Sequence, residues 1–481
     1  MRLRAAGLGL ALLCASGSAA AFPVNVLQNA GPSERRFNVA ILGDGYRASD
    51  QAKLTSDAKQ LIEDVFAVAP YKSYRQLFNF KVVQSVSVDQ GAKGGQAGGT
   101  PNTLFKAYYN CSNVPQLVCF DDGAVLSAAA ADVPEFDLAL LLVNDAKYGG
   151  SGGDVPCVST HEDAAEILRH ELGHNIANLA DEYESPYPGY PTCDSVKDCS
   201  EPNATLRSTR AAIKWLDWLD TTTPVPTPKT GSFDGVGVFE GGRYLSTGMY
   251  RPMREHCKMR SLGEPFCPVC GEALVRSFWN LPNVHLIDQA QPTGVVSGTP
   301  CSTTELSVTS PAISPPSLGY SWTIDGKLRA AATSAKLALS GLGLSDGLHQ
   351  IVVTVRDTTQ LVRSDPQNLL SEQHTWQLDL GECPADAGPP PNNGGNGGSS
   401  AVAASASAGT AGALAGASGA SAGRAGDTSR AGSGDSDQDP PPPEHSAACG
   451  CHLESTRSSA AGAGVLALVL ASAVLRRRRR A

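Results

Sequence analysis

The residues of this chain best placed to do chemistry are two histidines four positions apart with a glutamate after the first: His170-Glu171-Leu172-Gly173-His174. On a helix, positions i and i+4 lie about 40° apart and one turn up, so both imidazoles can reach one metal ion with Glu171 beside it. The chemistry this suits is metal-assisted hydrolysis by a zinc ion. Three protein ligands leave a position open for water, whereas four would make a closed structural site. A third ligand is therefore required.

Asp181 lies eleven residues beyond His170, nearly on the same helical face but about 16 Å further along a straight axis. The chain must turn back before it. Asn175 and Asn178 are the residues there that enter the left-handed region most readily, and Asn178 is the better turn because Asn175 directly follows His174. The resulting H-E-x-x-H-x-x-x-N-x-x-D resembles the metzincin pattern, in which a glycine ends the helix and a ligand follows three residues later. Asp181 meets that offset. Glu182 overshoots it by one, which leaves Glu182 to bond the backbone or a ligating imidazole. His161 precedes His170 by nine residues; on one helix it would lie on the opposite side and about 13 Å away. Ile167, Leu168, Leu172, Ile176 and Leu179 supply the apolar face that such a helix needs.

HELGHNIANLADEY, which runs through Asp181, Glu182 and Tyr183, resembles the signature of the IgA-peptidase family of zinc metallopeptidases. ILGDGY (Ile41 to Tyr46), LLVNDAKYGGSGG (Leu141 to Gly153) and YRPMREHCKMR (Tyr250 to Arg260) fit the same family, so the resemblance spans roughly Phe37 to Leu281. The departure is Asn178, where the family usually has glycine. The resemblance implies an α/β metzincin-like peptidase domain that binds Zn2+. It also implies a Met-turn beneath the metal site, with Met259 as its methionine. By position in the chain alone, Tyr250 and Tyr244 are candidates to approach the metal and bond the oxyanion.

The elements that position these residues are legible in the order strand, helix, strand, strand, metal-bearing helix. Phe37 to Leu42 reads as a buried strand. A helix follows, with Ser49 as candidate N-cap and Leu54, Ala58, Leu61, Ile62 and Phe66 on its apolar face. Phe78 to Val88 and Phe136 to Val143 read as further strands. In metzincin-like enzymes the substrate lies along an edge strand above the metal, so the resemblance makes the glycine-rich stretch Lys147 to Gly153 a candidate lining of the cleft, with a flexible surface turn as the equal alternative.

Thirteen cysteines in an exported chain suggest disulfides. Cys111 with Cys119 and Cys193 with Cys199 look like local staples, and Cys301 with Cys383 brackets the β-rich region. Cys257, Cys267 and Cys270 form a denser group that includes a C-x-x-C; in an oxidising compartment disulfides, with Cys157 as one partner, are expected over redox chemistry or a zinc knuckle, since a second metal site would need two such pairs and only one is present.

The wider layout is a signal peptide, 1–21, and a catalytic domain, 22–290. An all-β immunoglobulin-like sandwich, 291–384, follows, built of short alternating segments between Gly, Pro, Asp and Ser. Residues 385–448 are a Pro/Gly/Ala/Ser linker expected to be disordered. The last stretch, 449–481, holds Cys449 and Cys451, an apolar run at 460–475 and five arginines. It resembles the C-terminal sorting signals of myxobacterial exported proteins and implies a transient membrane anchor with cleavage near the cysteines. The 481 residues are 41% hydrophobic, enough to bury more than one core. A net charge of −9 without a basic patch outside the terminal arginines argues against a nucleic-acid partner. The expected function is an exported, cell-surface or extracellular zinc endopeptidase acting on a protein or peptide, with Glu171 as general base. The alternatives are a surface adhesion protein with a non-catalytic zinc domain and an amidase for cell-wall peptides.

Overall fold

In the computed structural model the described residues are 21–187, 189–293, 296–298, 305–340 and 342–381. The expected signal peptide, Cys301, Cys383, the linker and the C-terminal apolar run lie outside them, save for residue 21 at the edge of the signal peptide. Among the described residues no helix is long and apolar enough to cross a membrane.

The chain opens with β1 (Val24–Gln28) and β2 (Phe37–Asp44), then α1 (Gln51–Val65), the single turn α2 (Tyr71–Tyr74) and β3 (Phe78–Val83). After a long loop come α3 (Asp122–Asp132), β4 (Leu138–Val143), β5 (Gly150–Ser151) and β6 (Cys157–Ser159). These six strands form one sheet in the order β1-β3-β2-β4-β6-β5. Its centre is parallel, and β1 and β5 run antiparallel at the two edges.

Every residue of β2 and β4 is buried, as a parallel sheet covered on both faces requires. The period of two divides them. Val39, Ile41, Leu138, Leu140 and Leu142 join the core shared with α1, whereas Ala40, Leu42, Ala139, Leu141 and Val143 join a second core with Val125 and Ala129 of α3. The active-site helix α4 (Ala164–Ala177) packs on the first face, between α1 and the later helix α5.

Several boundaries differ from the sequence reading. Helix α1 starts after a tight turn, Ala48–Asp50, so its N-cap is Asp50 and not Ser49. Strand β3 stops at Val83 and does not reach Val88, because side chains take over from the ladder: Ser85 Oγ accepts from Gly43 N–H at 2.8 Å and donates to Gly43 carbonyl at 2.7 Å. Cys157 lies in β6 on the α3 side of the sheet, in the second core, and is a free thiol. Cys257, Cys267 and Cys270 are free as well, which corrects the disulfides expected for that group. Cys111–Cys119 and Cys193–Cys199 are bonded.

Beyond α4, the hairpin β7 (Phe239–Gly242) and β8 (Leu245–Arg251) precedes α5 (Pro268–Phe278). A β-rich region follows. Its strands are β9 (Gln289–Gln291), β10 (Val296–Gly298), β11 (Glu305–Thr309), β12 (Leu318–Ile324), β13 (Lys327–Leu328), β14 (Lys336–Ala338), β15 (Gly347–Asp357) and β16 (Ser371–Leu380). They make a five-stranded sheet, β10-β16-β15-β12-β13, and a three-stranded sheet, β14-β11-β9. Burial alternates along β15 and β16, and Trp322 stacks on Trp376 at 5.6 Å. The buried carboxylate of Asp357 accepts from Tyr74 Oη at 2.7 Å and Trp279 Nε1 at 2.9 Å, which ties β15 to α2 and the end of α5.

Candidate metal centre

Helix α4 ends where Asn178 takes the left-handed conformation (φ 50°, ψ 40°). Leu179 N–H then reaches back six residues to the Gly173 carbonyl at 3.1 Å, a Schellman closure that reverses the chain. The reversal carries Asp181 under the two imidazoles. Asp181 Oδ1 lies 3.0 Å from His170 Nε2 and 3.4 Å from His174 Nε2, and the two Nε2 atoms are 3.2 Å apart. Tetrahedral ligands at about 2.0–2.1 Å from a zinc ion would be separated by about 3.3 Å. The donor set and its spacing therefore fit such an ion.

The outer nitrogens are fixed by carbonyls. His170 Nδ1 donates to the Lys258 carbonyl at 3.0 Å and His174 Nδ1 to the Leu179 carbonyl at 2.6 Å. Since a carbonyl only accepts, each Nδ1 carries the hydrogen and each Nε2 presents its lone pair. Tyr244 Oη donates to Asp181 Oδ2 at 3.0 Å, which leaves Oδ1 for the metal side. The tip of the β7–β8 hairpin clasps the same segment, with Arg243 N–H on the Asp181 carbonyl and Tyr244 N–H on the Tyr183 carbonyl. Tyr183 stacks on His170 at 6.1 Å.

Glu171 is fully buried, and neither of its carboxylate oxygens has a hydrogen-bond partner. Burial raises its carboxyl to about 7, against the two imidazoles that favour the ionised form. Burial also disfavours the Asp181 carboxylate, yet the neighbouring imidazoles hold it below the usual carboxylate range. Two unpaired oxygens in a sealed position are costly unless something else is to use them.

Met259 is fully buried against α4: a Cβ on Gly173 would stand 2.8 Å from its Sδ. The chain before it supplies the Lys258 carbonyl, and its own carbonyl accepts from Glu182 N–H at 2.8 Å. The glycine-rich loop reaches Glu171, since a Cβ on Gly152 would lie 2.2 Å from Glu171 Oε2, and Asn175 Nδ2 holds the Gly153 carbonyl at 2.7 Å. Strand β5 is not an open edge, because Gly150 bridges Leu117.

Glu182 points away from the histidines. Its Oε1 accepts from Asn203 Nδ2 at 3.0 Å, and it lies with Cys257, Cys267 and Cys270. Tyr250 is not brought to the centre; β8 sets it opposite Glu240 and pairs its backbone with Thr205. His161 is also apart, at the turn before α4, where its Nδ1 accepts from Asp163 N–H. Sequence reasoning missed Asn203, a fully buried residue whose amide brackets Ala180 N–H and carbonyl at 2.7 and 2.9 Å. Gly152 lies in the glycine-rich stretch that the sequence reading considered for the cleft, but nothing there singled it out as the contact to Glu171. No local pattern marks the role of either residue, since each acts across a loop closure.

No curated protein matches the chain. Residues 25–233, which contain α4, Asp181 and all of the central sheet but Val24, match the family model of IgA Peptidase M64, a family of metallopeptidases, and that stretch of the chain is assigned to it.

Proposed function

We propose that the chain is a zinc-dependent endopeptidase in which His170, His174 and Asp181 hold the cation and Glu171 is the general base. The observation that carries this reading is the sealed, unpaired Glu171 carboxylate next to three donor atoms 3.0–3.4 Å apart. Held by His170, His174 and Asp181, a zinc ion would supply Lewis acidity that acidifies water and polarises the scissile carbonyl. Glu171, lifted by burial to about 7, takes the proton of the attacking water near neutral pH and returns it to the leaving amine. The Lys258 and Leu179 carbonyls keep each imidazole in the tautomer that ligates. Tyr244 orients Asp181.

A purely structural cation needs no base, so Glu171 weighs against a non-catalytic adhesion protein. An amidase for cell-wall peptides would use the same centre, and a panel of protein and cell-wall substrates separates the two. Export, a passing membrane anchor at 460–475 and trimming near Cys449 are proposed from the sequence alone, as is an immunoglobulin-like accessory sandwich at 291–384. Casein cleavage by the purified chain, abolished by a chelator and restored by zinc, tests the reading. Glu171→Gln is expected to retain zinc and lose about 10²–10⁴-fold in turnover; near wild-type turnover in that variant would overturn the mechanism.

A further inference from the structure

Behind the histidine centre lies a second group of metal-ligating atoms. Glu182 comes from the irregular segment that follows the Asn178 turn and Cys257 from the turn that carries Lys258 and Met259, while Cys267 is the N-cap of α5 and Cys270 sits in its first turn. All four are at most 3% exposed. One carboxylate oxygen and three sulfurs lie within 4.8 Å of one another.

The spacing suits a shared ion. Cys270 Sγ is 3.6 Å from Cys257 Sγ and 3.6 Å from Glu182 Oε1. Tetrahedral zinc with sulfur at about 2.3 Å places two sulfurs about 3.8 Å apart, whereas a disulfide needs about 2.05 Å. The same structure closes Cys111–Cys119 and Cys193–Cys199 but leaves these three as thiols. Three is an odd number, so any disulfide among them strands one sulfur. The remaining described free cysteine, Cys157, lies in the core on the far face of the sheet.

The carboxylate gives an independent sign. Glu182 Oε2 is buried and has no hydrogen-bond partner. The nearby cation, Arg251, is engaged elsewhere, by Glu184 and by the carbonyls of Glu240, Gly241 and Arg254. Its other oxygen, Oε1, accepts from Asn203 Nδ2 at 3.0 Å, so one oxygen of the carboxylate is buried without a partner, a cost that a cation bound by this carboxylate would offset. The Cys270 N–H also points at Cys267 Sγ at 3.4 Å, as backbone donors do around a ligating sulfur.

We propose that Glu182, Cys257, Cys267 and Cys270 form a closed, four-ligand structural site for a thiophilic divalent cation, zinc by its donor set. The site pins the Asp181 segment, the Met259 turn and α5 together behind the histidine centre. It does not rest on the peptidase reading, and three of its four ligands lie beyond the family match.

The test uses the full chain purified without chelator and loaded with zinc. His170→Ala/His174→Ala removes the front centre, and that variant is expected to hold one zinc per chain with a sulfur-dominated shell near 2.3 Å by X-ray absorption. Its Cys257, Cys267 and Cys270 thiols should be alkylated only once a strong chelator is added. In the otherwise native chain, Cys270→Ser is expected to lower zinc from two equivalents to one. Because Cys270→Ser can fail to fold, the histidine variant carries the decision. No zinc in that folded variant, a shell of nitrogen and oxygen alone, or a disulfide between any two of the three cysteines in peptide mapping would each overturn the site.

Discussion

Gly173 and Met259 are in contact through the absence of a side chain: a Cβ on Gly173 would stand 2.8 Å from Met259 Sδ. The glycine between the two histidines is therefore a packing requirement. It lets a fully buried methionine rise to the underside of the helix turn that carries both imidazoles.

Gly173→Ala consequently forces the methionine, Leu179 and Phe266 to give way, since the new methyl meets all three within 3.3 Å. Overpacking of this kind costs about 1–3 kcal/mol. The expected outcome is a lower unfolding midpoint together with weaker zinc retention. Met259→Leu, which nearly conserves volume, should cost less than about 1.5 kcal/mol. Equal losses in the two variants would show that the contact does not support the helix.

Gly152 is constrained from the other side. Its missing Cβ is what leaves room for Glu171 Oε2, 2.2 Å from where that atom would stand. Gly152→Ala is expected to keep zinc and fold but to displace the base, lowering kcat by about 10²-fold. Unchanged kcat would mean that the loop has freedom the close approach does not suggest.

What was legible in the sequence was the chemistry that is local in sequence. The i, i+4 histidines, the turn at Asn178 and the offset to Asp181 follow from helix geometry and from which residues tolerate positive φ. The methionine came from the resemblance. What was not legible depends on where distant loops land. Tyr250 looked as eligible as Tyr244, but the β7–β8 register gives Tyr250 to Thr205 and the hairpin tip gives Tyr244 to Asp181. Cys157 looked like a partner for the later cysteines until β6 placed it on the other face of the sheet. Ser85 and Ser87 fit a strand, yet their hydroxyls bond Gly43 and Gly45 and end the ladder.

Asn178 tests the turn itself. At φ 50° an ordinary L-residue is disfavoured by about 1–2 kcal/mol, and a β-branched one by more. Asn178→Gly should leave stability and zinc content close to wild type, although it removes the amide contact to Ser200 Oγ at 3.3 Å. Asn178→Val should lower both, because Asp181 is delivered by this reversal. Thermal unfolding with zinc analysis distinguishes them, and a Val variant as well bound as the Gly variant would remove the turn from the argument.

Asp181 and Glu182 are adjacent carboxylates that serve different clusters, and counting metals in their variants is the most discriminating experiment. Their side chains leave the segment after the Asn178 turn towards different partners. Asp181 accordingly meets His170 and His174, and Glu182 meets Asn203 and Cys270. Asp181→Ala is expected to empty the histidine centre, abolish hydrolysis and leave the sulfur-coordinated zinc in place. Glu182→Ala is expected to lose or weaken the sulfur-coordinated zinc and to destabilise the Met259 turn, while the histidine centre can still be loaded at saturating zinc. Total zinc alone would confuse the two, so the coordination shell must be read by X-ray absorption on each variant. A nitrogen-rich shell that persists in Asp181→Ala and vanishes in Glu182→Ala would reverse the assignment of the third ligand.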